Sequence, residues 1–522
     1  MRKFEKLEII KNVSSSWFGL AVNVLVGIFL SPFILHRLGD EAFGIWVLIF
    51  SVTGYYGLFD FGIRSSIIRY VSKFTATSDN EDLAKLINTS LFSYTCVGLL
   101  TLAITIAGSF YVDSIFKIPP AFLTTARWLF LMVGASVALG FPLGVYGGIL
   151  EGLQRFYFLN LTNIVSTLLR ALLIVITLNR GYGLLTIALI TVALPILTAI
   201  LRAGIVFRIL PIPFAWRYVD RGTFRKMANY SSVTFMNILA GRLRFKTDAL
   251  VIGTFLSSAA ITYFSIGSRL VDYATEVVSS LAQIFVPMSS QSDAIGNMDR
   301  LRKIYIAGNR ACALIMLPMS AVLIILGKSV IEAWVGAKYV AASYPVLVIL
   351  VIPVTIQLAQ AASGRILFGI GRHGKLAIAT LIEGVSNLIL SILLVRHYGI
   401  IGDALGTAIP LTCTMLFFLP FHLSHVLGVP VRTFLRQAYV LPISLCTPMV
   451  LALLLMRRWF VPHGYRQLGI HLLVGAVVYG AGLMWAVLSN TALHVEQLTP
   501  RAKPEADKLV AAALVETYQE DV

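Results

Sequence analysis

The chain has 522 residues, of which 57% are hydrophobic and only 13% are charged. This composition is far from that of soluble globular proteins, so the sequence predicts a protein whose solvent is the lipid bilayer. The net charge of +17 does not indicate nucleic-acid binding, because the basic residues do not cluster on a soluble domain with interleaved aromatic side chains.

Windows of about 20 apolar residues recur along the chain and predict membrane-spanning helices. We expect an all-α polytopic membrane protein with about fourteen of them. The predicted spans are 13–35, 42–61, 86–110, 128–150, 159–178, 184–205, 230–254, 259–286, 307–327, 342–367, 377–395, 401–420, 438–456 and 469–489. The first is too long for a signal-peptide core and is predicted to be an uncleaved anchor. Roughly 24 basic residues fall in cytoplasmic loops and roughly 10 in external ones if both termini are cytoplasmic.

Two halves of the chain resemble one another at an offset near 217 residues. The segment Ile149-Leu150-x-Gly152-x-x-Arg155 reappears as Ile366-Leu367-x-Gly369-x-x-Arg372, and Tyr182-Gly183 reappears as Tyr398-Gly399. Such repeats are typical of transporters in which two six-helix bundles face each other across a central site. We therefore predict an N-lobe at 1–210 (helices 1–6), a C-lobe at 211–424 (helices 7–12), and a third region at 425–522 with helices 13 and 14 and a cytoplasmic tail.

Basic side chains within the predicted spans are the main functional signal. Each costs roughly 2.5–3.5 kcal/mol even on a lenient insertion scale, so each needs a partner or water. We predict that they line a central cavity that binds an anion. The candidate binding residues are Arg64, Arg170, Arg242, Arg244, Lys246 and Arg269. Arg310 and Arg365, near the ends of spans, are expected to snorkel to lipid headgroups, and snorkelling is the alternative for Arg64.

Acidic residues in or beside the spans are candidates for coupling transport to protons or sodium ions. They are Asp60, Asp248 and Asp272. The alternative is that two of them only neutralise a neighbouring arginine. Asp248 lies four residues from Arg244, and Asp272 lies three residues from Arg269, so each pair can meet on one helix face.

No catalytic motif is recognisable in the sequence. There is no Gly-x-Ser-x-Gly, no phosphate-binding loop, and no grouping of His or Cys with metal-ligand spacing. The four cysteines lie in apolar spans, where a structural role is expected. We therefore predict that the protein is not an enzyme and uses neither a cofactor nor a metal site.

The family resemblance begins with the stretch Pro32-Phe33-Ile34-Leu35-x-Arg37-Leu38-Gly39-x-Glu41-x-Phe43-Gly44-Ile45-Trp46. It resembles the opening of the oligosaccharide flippases for O-antigen and exopolysaccharide, within the superfamily that includes multidrug extruders. Asp248–Leu256 and Tyr263–Leu270 look similar to the same family. The resemblance implies a V-shaped, two-lobed bundle of fourteen helices in the bacterial inner (plasma) membrane. It also implies that undecaprenyl-diphosphate-linked oligosaccharides move from the cytoplasmic to the external leaflet, with membrane lipids, a polysaccharide polymerase and glycosyltransferases as partners.

Two other functions stay open at this point. A cation-coupled multidrug extruder has the same architecture, but its cargo is usually cationic. A central cavity lined by Arg and Lys disfavours such a cargo. A membrane polysaccharide polymerase or ligase needs a catalytic surface outside the membrane, and the predicted external loops are too short to form one. The sugar, the coupling ion and the oligomeric state do not follow from the sequence.

Overall fold

The structure, a computed structural model, describes residues 3–210, 213, 215–228, 247–489 and 491. These residues form helices, turns and short connections, and no β-strand occurs among them. Eleven segments in this part of the chain are long and apolar enough to cross a membrane. The all-α, multi-pass membrane architecture predicted from the sequence is therefore confirmed.

Helices make up nearly all of the described chain. Before the connection between the sequence repeats lie α1 (Lys3–Leu38), α2 (Asp40–Gly54), α3 (Ile63–Ala76), α4 (Asn80–Ser109), α5 (Val112–Ile115), α6 (Leu123–Gly152), α7 (Phe156–Asn179) and α8 (Leu184–Ile209). After it lie α9 (Asp248–Phe255), α10 (Ser258–Ala282), α11 (Phe285–Ala294), α12 (Met298–Val335), α13 (Val340–Ala359), α14 (Ala361–Gly369), α15 (Gly374–Cys413), α16 (Leu419–Leu427), α17 (Val431–Trp459) and α18 (Tyr465–Leu488).

Two of the predicted spans are divided by a bend at one glycine. The spans predicted at 377–395 and 401–420 both begin within α15, where Gly399 has φ 58° and ψ −138°. Residues with a Cβ adopt such a conformation only at a cost, so glycine permits the sharp bend. The predicted span at 230–254 lies mostly outside the described residues, and the total of fourteen spans stays a prediction.

The chain forms two compact units. The first runs to Tyr273 and also includes Val330–Leu350 and Thr380–Pro410. The second comprises Ala274–Ser329, Val351–Ala379 and the residues from Leu411 onward. The first unit thus combines the predicted N-lobe with three segments of the predicted C-lobe. The lobe boundaries at 210 and 424 describe the sequence repeat and stay a prediction.

The sequence repeat produces the same turn twice. The amide of Arg155 donates to the carbonyl of Leu150 at 2.8 Å, and that of Arg372 donates to Leu367 at 2.9 Å. The preceding residues, Gln154 and Gly371, both have positive φ, 58° and 69°. Each turn follows a helix that ends in glycine, where a neighbouring helix approaches within 3 Å of the position that a Cβ would occupy. The two halves therefore share local backbone geometry as well as sequence.

Helix α6 is the centre of the first unit and packs against α2, α3, α4 and α8. Small residues allow this approach, as is common between membrane helices. At Gly98 on α4, a Cβ would lie 2.5 Å from the carbonyl oxygen of Ala138 on α6. That oxygen belongs to the backbone, so a side chain at position 98 can be accommodated only if the helices separate.

We expect Gly98→Ala to lower the stability of the folded protein. Forcing two packed helices apart costs about 1–3 kcal/mol. Gly140→Ala is the matched control, because a Cβ there meets no atom within 4 Å. The thermal midpoint of the detergent-solubilised protein should fall for Gly98→Ala and not for Gly140→Ala. Equal midpoints for the two variants would contradict the described packing of α4 on α6.

Candidate functional site

A cluster of charged and polar side chains lies where α3, α4, α6 and α8 meet. We call Asp60, Arg64, Tyr94, Glu151 and Arg202 the arginine cluster. Arg64 makes a two-point ion pair with Glu151, with Nη2–Oε1 at 2.6 Å and Nε–Oε2 at 3.4 Å. Asp60 accepts a hydrogen bond from the Tyr94 hydroxyl and one of 3.4 Å from the backbone N–H of Arg64. The cluster thus joins two predicted residues, Asp60 and Arg64, to three that sequence reasoning missed.

Apolar packing between α3 and α6 sets the position of Arg64. Ile63, Ile67 and Val71 recur along one face of α3 and are buried against Val145 and Ile149 of α6. Each residue turns a helix by about 100°, so Arg64 follows Ile63 at the edge of this apolar face and reaches α6, whereas Arg69 and Lys73 lie on the opposite face. The side chain of Arg64 keeps 45% of its surface exposed and that of Glu151 keeps 23%. The packing of α3 on α6 therefore holds the ion pair in place, and both side chains remain partly accessible.

Arg202 on α8 completes the cluster from another direction. Its Nε and Nη2 donate to the Thr162 hydroxyl at 3.0 and 2.9 Å, and Nη2 also donates to Asn163 Oδ1 at 2.7 Å. These acceptors are uncharged, so they hold the guanidinium without neutralising it. Arg202 therefore retains a full positive charge close to Arg64.

The other predicted binding residues are not gathered at this site. Arg170 on α7 is half-buried and, within the described residues, has no hydrogen-bonding or ion-pair partner. Arg269 and Asp272 on α10 are exposed, and their pairing stays a prediction. Arg242, Arg244 and Lys246 lie outside the described residues, as does the predicted pairing of Arg244 with Asp248.

A second polar group, which we call the acid pocket, consists of Asp248, Asn387, Ser391, Asp403 and Thr407. The Thr407 hydroxyl is 3.1 Å from Asp248 Oδ1 and 3.3 Å from Asn387 Oδ1. Ser391 donates to the same Asn387 oxygen at 3.0 Å. Asp403 is fully buried, and among the described residues its carboxylate oxygens accept no hydrogen bond.

The acid pocket is suited to a proton or a small hard cation. Its ligating atoms are carboxylate, amide and hydroxyl oxygens, and Asp403 is near enough to Asp248 for the two carboxylates to repel. A buried carboxylate beside a second one is unfavourable, so binding a proton or a cation there relieves the repulsion. Sequence reasoning found Asp248 here but missed Asp403, which interrupts the apolar run Ile400-Ile401-Gly402-Asp403-Ala404-Leu405.

The two repeats differ in charge although they share turns. At the 217-residue offset, Arg64, Glu151 and Arg202 correspond to Leu281, Phe368 and Leu419. The arginine cluster therefore belongs to the first repeat alone. The acid pocket is built from second-repeat residues only, so each repeat carries a different kind of polar site.

A third polar group joins the two repeats at the turns predicted to be external. We call Asp40, Tyr263, Lys338 and Tyr339 the external latch. Asp40, the first residue of α2, accepts from Lys338 Nζ at 2.5 Å, from the Tyr339 hydroxyl at 2.6 Å and from the Tyr263 hydroxyl at 3.1 Å. Its backbone carbonyl also accepts from Thr262 at 2.6 Å. One first-repeat residue is thus held by four from the second repeat.

Comparisons with known proteins agree with this architecture. The membrane protein EpsK of Bacillus subtilis, described as uncharacterized, is 22% identical over 430 residues, which cover 81% of this chain and 85% of EpsK. A candidate O-antigen transporter of Shigella flexneri is 21% identical over 410 residues, covering 77% of this chain and 95% of the relative. Both relatives are therefore matched over most of their length.

Solved structures show the same fold. The lipid II flippase MurJ in an inward closed conformation superposes with a TM-score of 0.72 at 17% identity, covering 93% of this chain and all of MurJ. An inward-facing multidrug-resistance transporter of the MATE family and MOP superfamily gives 0.68 at 16% identity, covering 78% of this chain and 95% of that protein. Residues 34–344 match the model of a family described as polysaccharide biosynthesis protein. The chain therefore belongs to this polysaccharide biosynthesis family and has the fold of the MOP superfamily of transporters.

Proposed function

We propose that the protein is a flippase that moves a polyprenyl-diphosphate-linked oligosaccharide from the cytoplasmic to the external leaflet during surface polysaccharide synthesis. The observation that carries this proposal is the arginine cluster. It offers two guanidinium groups, Arg64 and Arg202, within a protein that belongs to a polysaccharide biosynthesis family. The relatives named as transporters and flippases support transport over catalysis.

The chemistry of the cargo explains why arginine is needed. A lipid diphosphate concentrates negative charge that cannot cross hydrocarbon without a counter-charge. The planar guanidinium group donates two parallel hydrogen bonds to phosphate oxygens, which lysine cannot do. In this proposal the sugar and diphosphate pass through the protein, while the polyprenyl tail stays in the bilayer. Arg170, Arg242, Arg244, Lys246 and Arg269 are proposed to extend the basic lining.

We further propose that the acid pocket couples transport to a proton or sodium gradient. Asp248 and Asp403 would bind the ion, with Asn387 and Thr407 supplying further oxygens. The ion would neutralise a pocket whose two carboxylates otherwise repel each other. Asp272, which is exposed on α10, stays a proposed candidate for the same role.

Alternating access requires that the external latch opens in each cycle. Hydrogen bonds to a charged group stabilise by about 1.5–3 kcal/mol each when they are shielded, and by less where solvent reaches them, as at Lys338. Asp40→Asn keeps the side-chain shape but removes the charge. We therefore expect this variant to favour the state in which the turns at Asp40 and Ser258 separate.

Thiol labelling from outside the cell measures this opening. Ser258 is 1% exposed and lies against Gly44, where a Cβ would be 1.8 Å from the Ser258 carbonyl oxygen. In a background without the four native cysteines, Ser258→Cys should react with an impermeant maleimide roughly tenfold faster when Asp40→Asn is present. Asp113→Asn is the control, since Asp113 pairs with Arg127 of the same repeat at 2.9 Å. An unchanged labelling rate in Asp40→Asn would show that the latch does not hold these turns together.

The proposed orientation places both termini in the cytoplasm of a bacterial cell, within the inner membrane. It follows from the excess of basic residues in the loops that would then face the cytoplasm. A reporter that is active only in the cytoplasm should be active when fused after Val522. A reporter that is active only outside the cytoplasm should be inactive when fused at the same position. The opposite pattern of reporter activity would contradict this topology.

Disruption of the gene tests the proposed function. Surface polysaccharide should disappear and lipid-linked oligosaccharide should accumulate, and both changes should be reversed by the intact gene.

A cation-coupled drug extruder is the second candidate, favoured by the similarity to a multidrug-resistance structure. Disruption would then increase sensitivity to cationic drugs while surface polysaccharide stayed normal. The positive charge retained by Arg202 argues against cationic cargo.

A further inference from the structure

Arg64 and Arg202 present their guanidinium groups to one small space. That space is above Gly147 of α6, where an added Cβ would lie 3.6 Å from Arg64 Nη2 and 4.0 Å from Arg202 Nη1. Apart from the adjoining residues and backbone of α6, no other atom lies within 4 Å of that point. A position so close to both nitrogens allows one anion to contact both arginines, because charge-assisted hydrogen bonds span about 2.8 Å.

Arg202 is oriented for this role by its neutral partners. Nε and Nη2 are engaged by Thr162 and Asn163. Among the described residues, Nη1 has no hydrogen-bonding partner and is the nitrogen nearest Gly147. A guanidinium held along one edge offers its other edge in a fixed direction, which favours planar recognition of phosphate.

The guanidinium group of Arg64, in contrast, is already paired with Glu151. Glu151 takes both its Nε and its Nη2, the same edge that a phosphate would use. Both side chains remain partly exposed, at 45% and 23%, so an incoming anion has access to the pair. A carboxylate with one charge competes poorly with a diphosphate, which carries more charge and more acceptor oxygens.

We propose that Glu151 is a built-in competitor for the diphosphate, and that Arg64 and Arg202 clamp the diphosphate over Gly147 once Glu151 is displaced. This inference rests on the proposed function and adds the regulation of its binding site. In the empty site Glu151 neutralises Arg64. The diphosphate replaces it and bridges the two arginines, and the return of Glu151 promotes release. Glu151 thereby keeps the affinity low enough for turnover.

Inorganic pyrophosphate binding to the purified full-length protein tests this arrangement by calorimetry. Glu151→Gln should bind pyrophosphate about tenfold more tightly than the unmodified chain, because the competitor has lost its charge. Arg202→Gln should bind about tenfold more weakly, and Gly147→Leu should abolish binding because its side chain fills the space. Arg155→Gln, an exposed residue near the same end of α6, is the control and should leave binding unchanged.

A structural role for Glu151 gives the opposite result. Unchanged or weaker pyrophosphate binding by Glu151→Gln, with a thermal midpoint equal to that of the unmodified chain, would overturn the proposal. If Glu151→Gln does not fold, Glu151→Asp decides instead: its shorter side chain weakens the ion pair, and binding should tighten severalfold. No tightening in Glu151→Asp would overturn the proposal equally.

An export assay separates this inference from the proposed function. Glu151→Gln should bind more tightly yet export less, since release becomes slow. If binding follows the prediction and gene disruption leaves surface polysaccharide intact, the clamp is correct and the proposed function is wrong. If export needs Arg64 while Glu151→Gln fails to tighten binding, only the competitor role is wrong.

Discussion

Arg64→Gln should reduce surface polysaccharide export to about 1% of normal, at unchanged membrane abundance. Losing a charge-assisted contact to phosphate costs about 1.5–3 kcal/mol, or roughly ten- to a hundredfold in affinity. The substitution also leaves the Glu151 carboxylate without its cation at 2.6 Å, so the site repels an anion. The two effects act in the same direction, which places the expected loss at the upper end of that range.

Two further variants sharpen this prediction. Arg64→Lys should restore export only in part, because lysine keeps the charge but lacks the two-pronged donor. Arg155→Gln should export normally. Export should be measured as surface polysaccharide per unit of membrane-inserted protein. Normal export by Arg64→Gln would show that the ion pair with Glu151 is structural and that the cargo is bound elsewhere.

Asp403→Asn should reduce export by roughly tenfold or more without lowering stability, because intramembrane acids that bind coupling ions are needed for turnover. Asp403 is fully buried and its carboxylate accepts no hydrogen bond from the described residues. An amide of the same shape removes a charge that is costly to bury, so the thermal midpoint should stay equal or rise. Loss of export with retained stability distinguishes ion binding from a packing role.

The acid pocket has a matched control in Asp293. Asp293→Asn makes the same chemical change at an exposed position on α11 and should leave export unchanged. The dependence of export on external pH or sodium should disappear in Asp403→Asn and persist in Asp293→Asn. If Asp403→Asn exports normally and keeps the ion dependence, Asp403 is permanently protonated and takes no part in coupling.

The repeat could be predicted because its signature residues are required by backbone geometry. Gly152 and Gly369 each lie where a neighbouring helix leaves no room for a Cβ, and Gly371 supplies a positive φ. The positive φ acts at a single residue and the close helix approach recurs in both repeats, so both leave glycines at matching positions of the sequence. The membrane spans were predictable for a similar reason, since each needs a continuous apolar run.

The partners within the sites could not be predicted in the same way. Arg64, Glu151 and Arg202 come from three helices, and helical periodicity indicates a face but not which helix will oppose it. Glu151 and Arg202 also lie near the ends of predicted spans, where charged residues are expected at the membrane surface. Asp403 was missed because it lies just inside such an end.

The depth of a basic residue within a span predicts that it needs a partner or water. Arg269 is exposed in the structure, and its place in the cavity lining stays a prediction. Arg202, in contrast, was identified by its neutral hydrogen-bonding partners and by its distance to the space above Gly147, which only the three-dimensional structure provides.

The accessibility of lipid-linked oligosaccharide in spheroplasts tests the central claim most directly. In cells depleted of the protein, an impermeant glycosidase added outside should leave the accumulated lipid-linked oligosaccharide intact. Restoring the unmodified protein should make it cleavable, and restoring Arg64→Gln should not. If depletion leaves the oligosaccharide as accessible from outside as before, the protein does not carry it across the membrane.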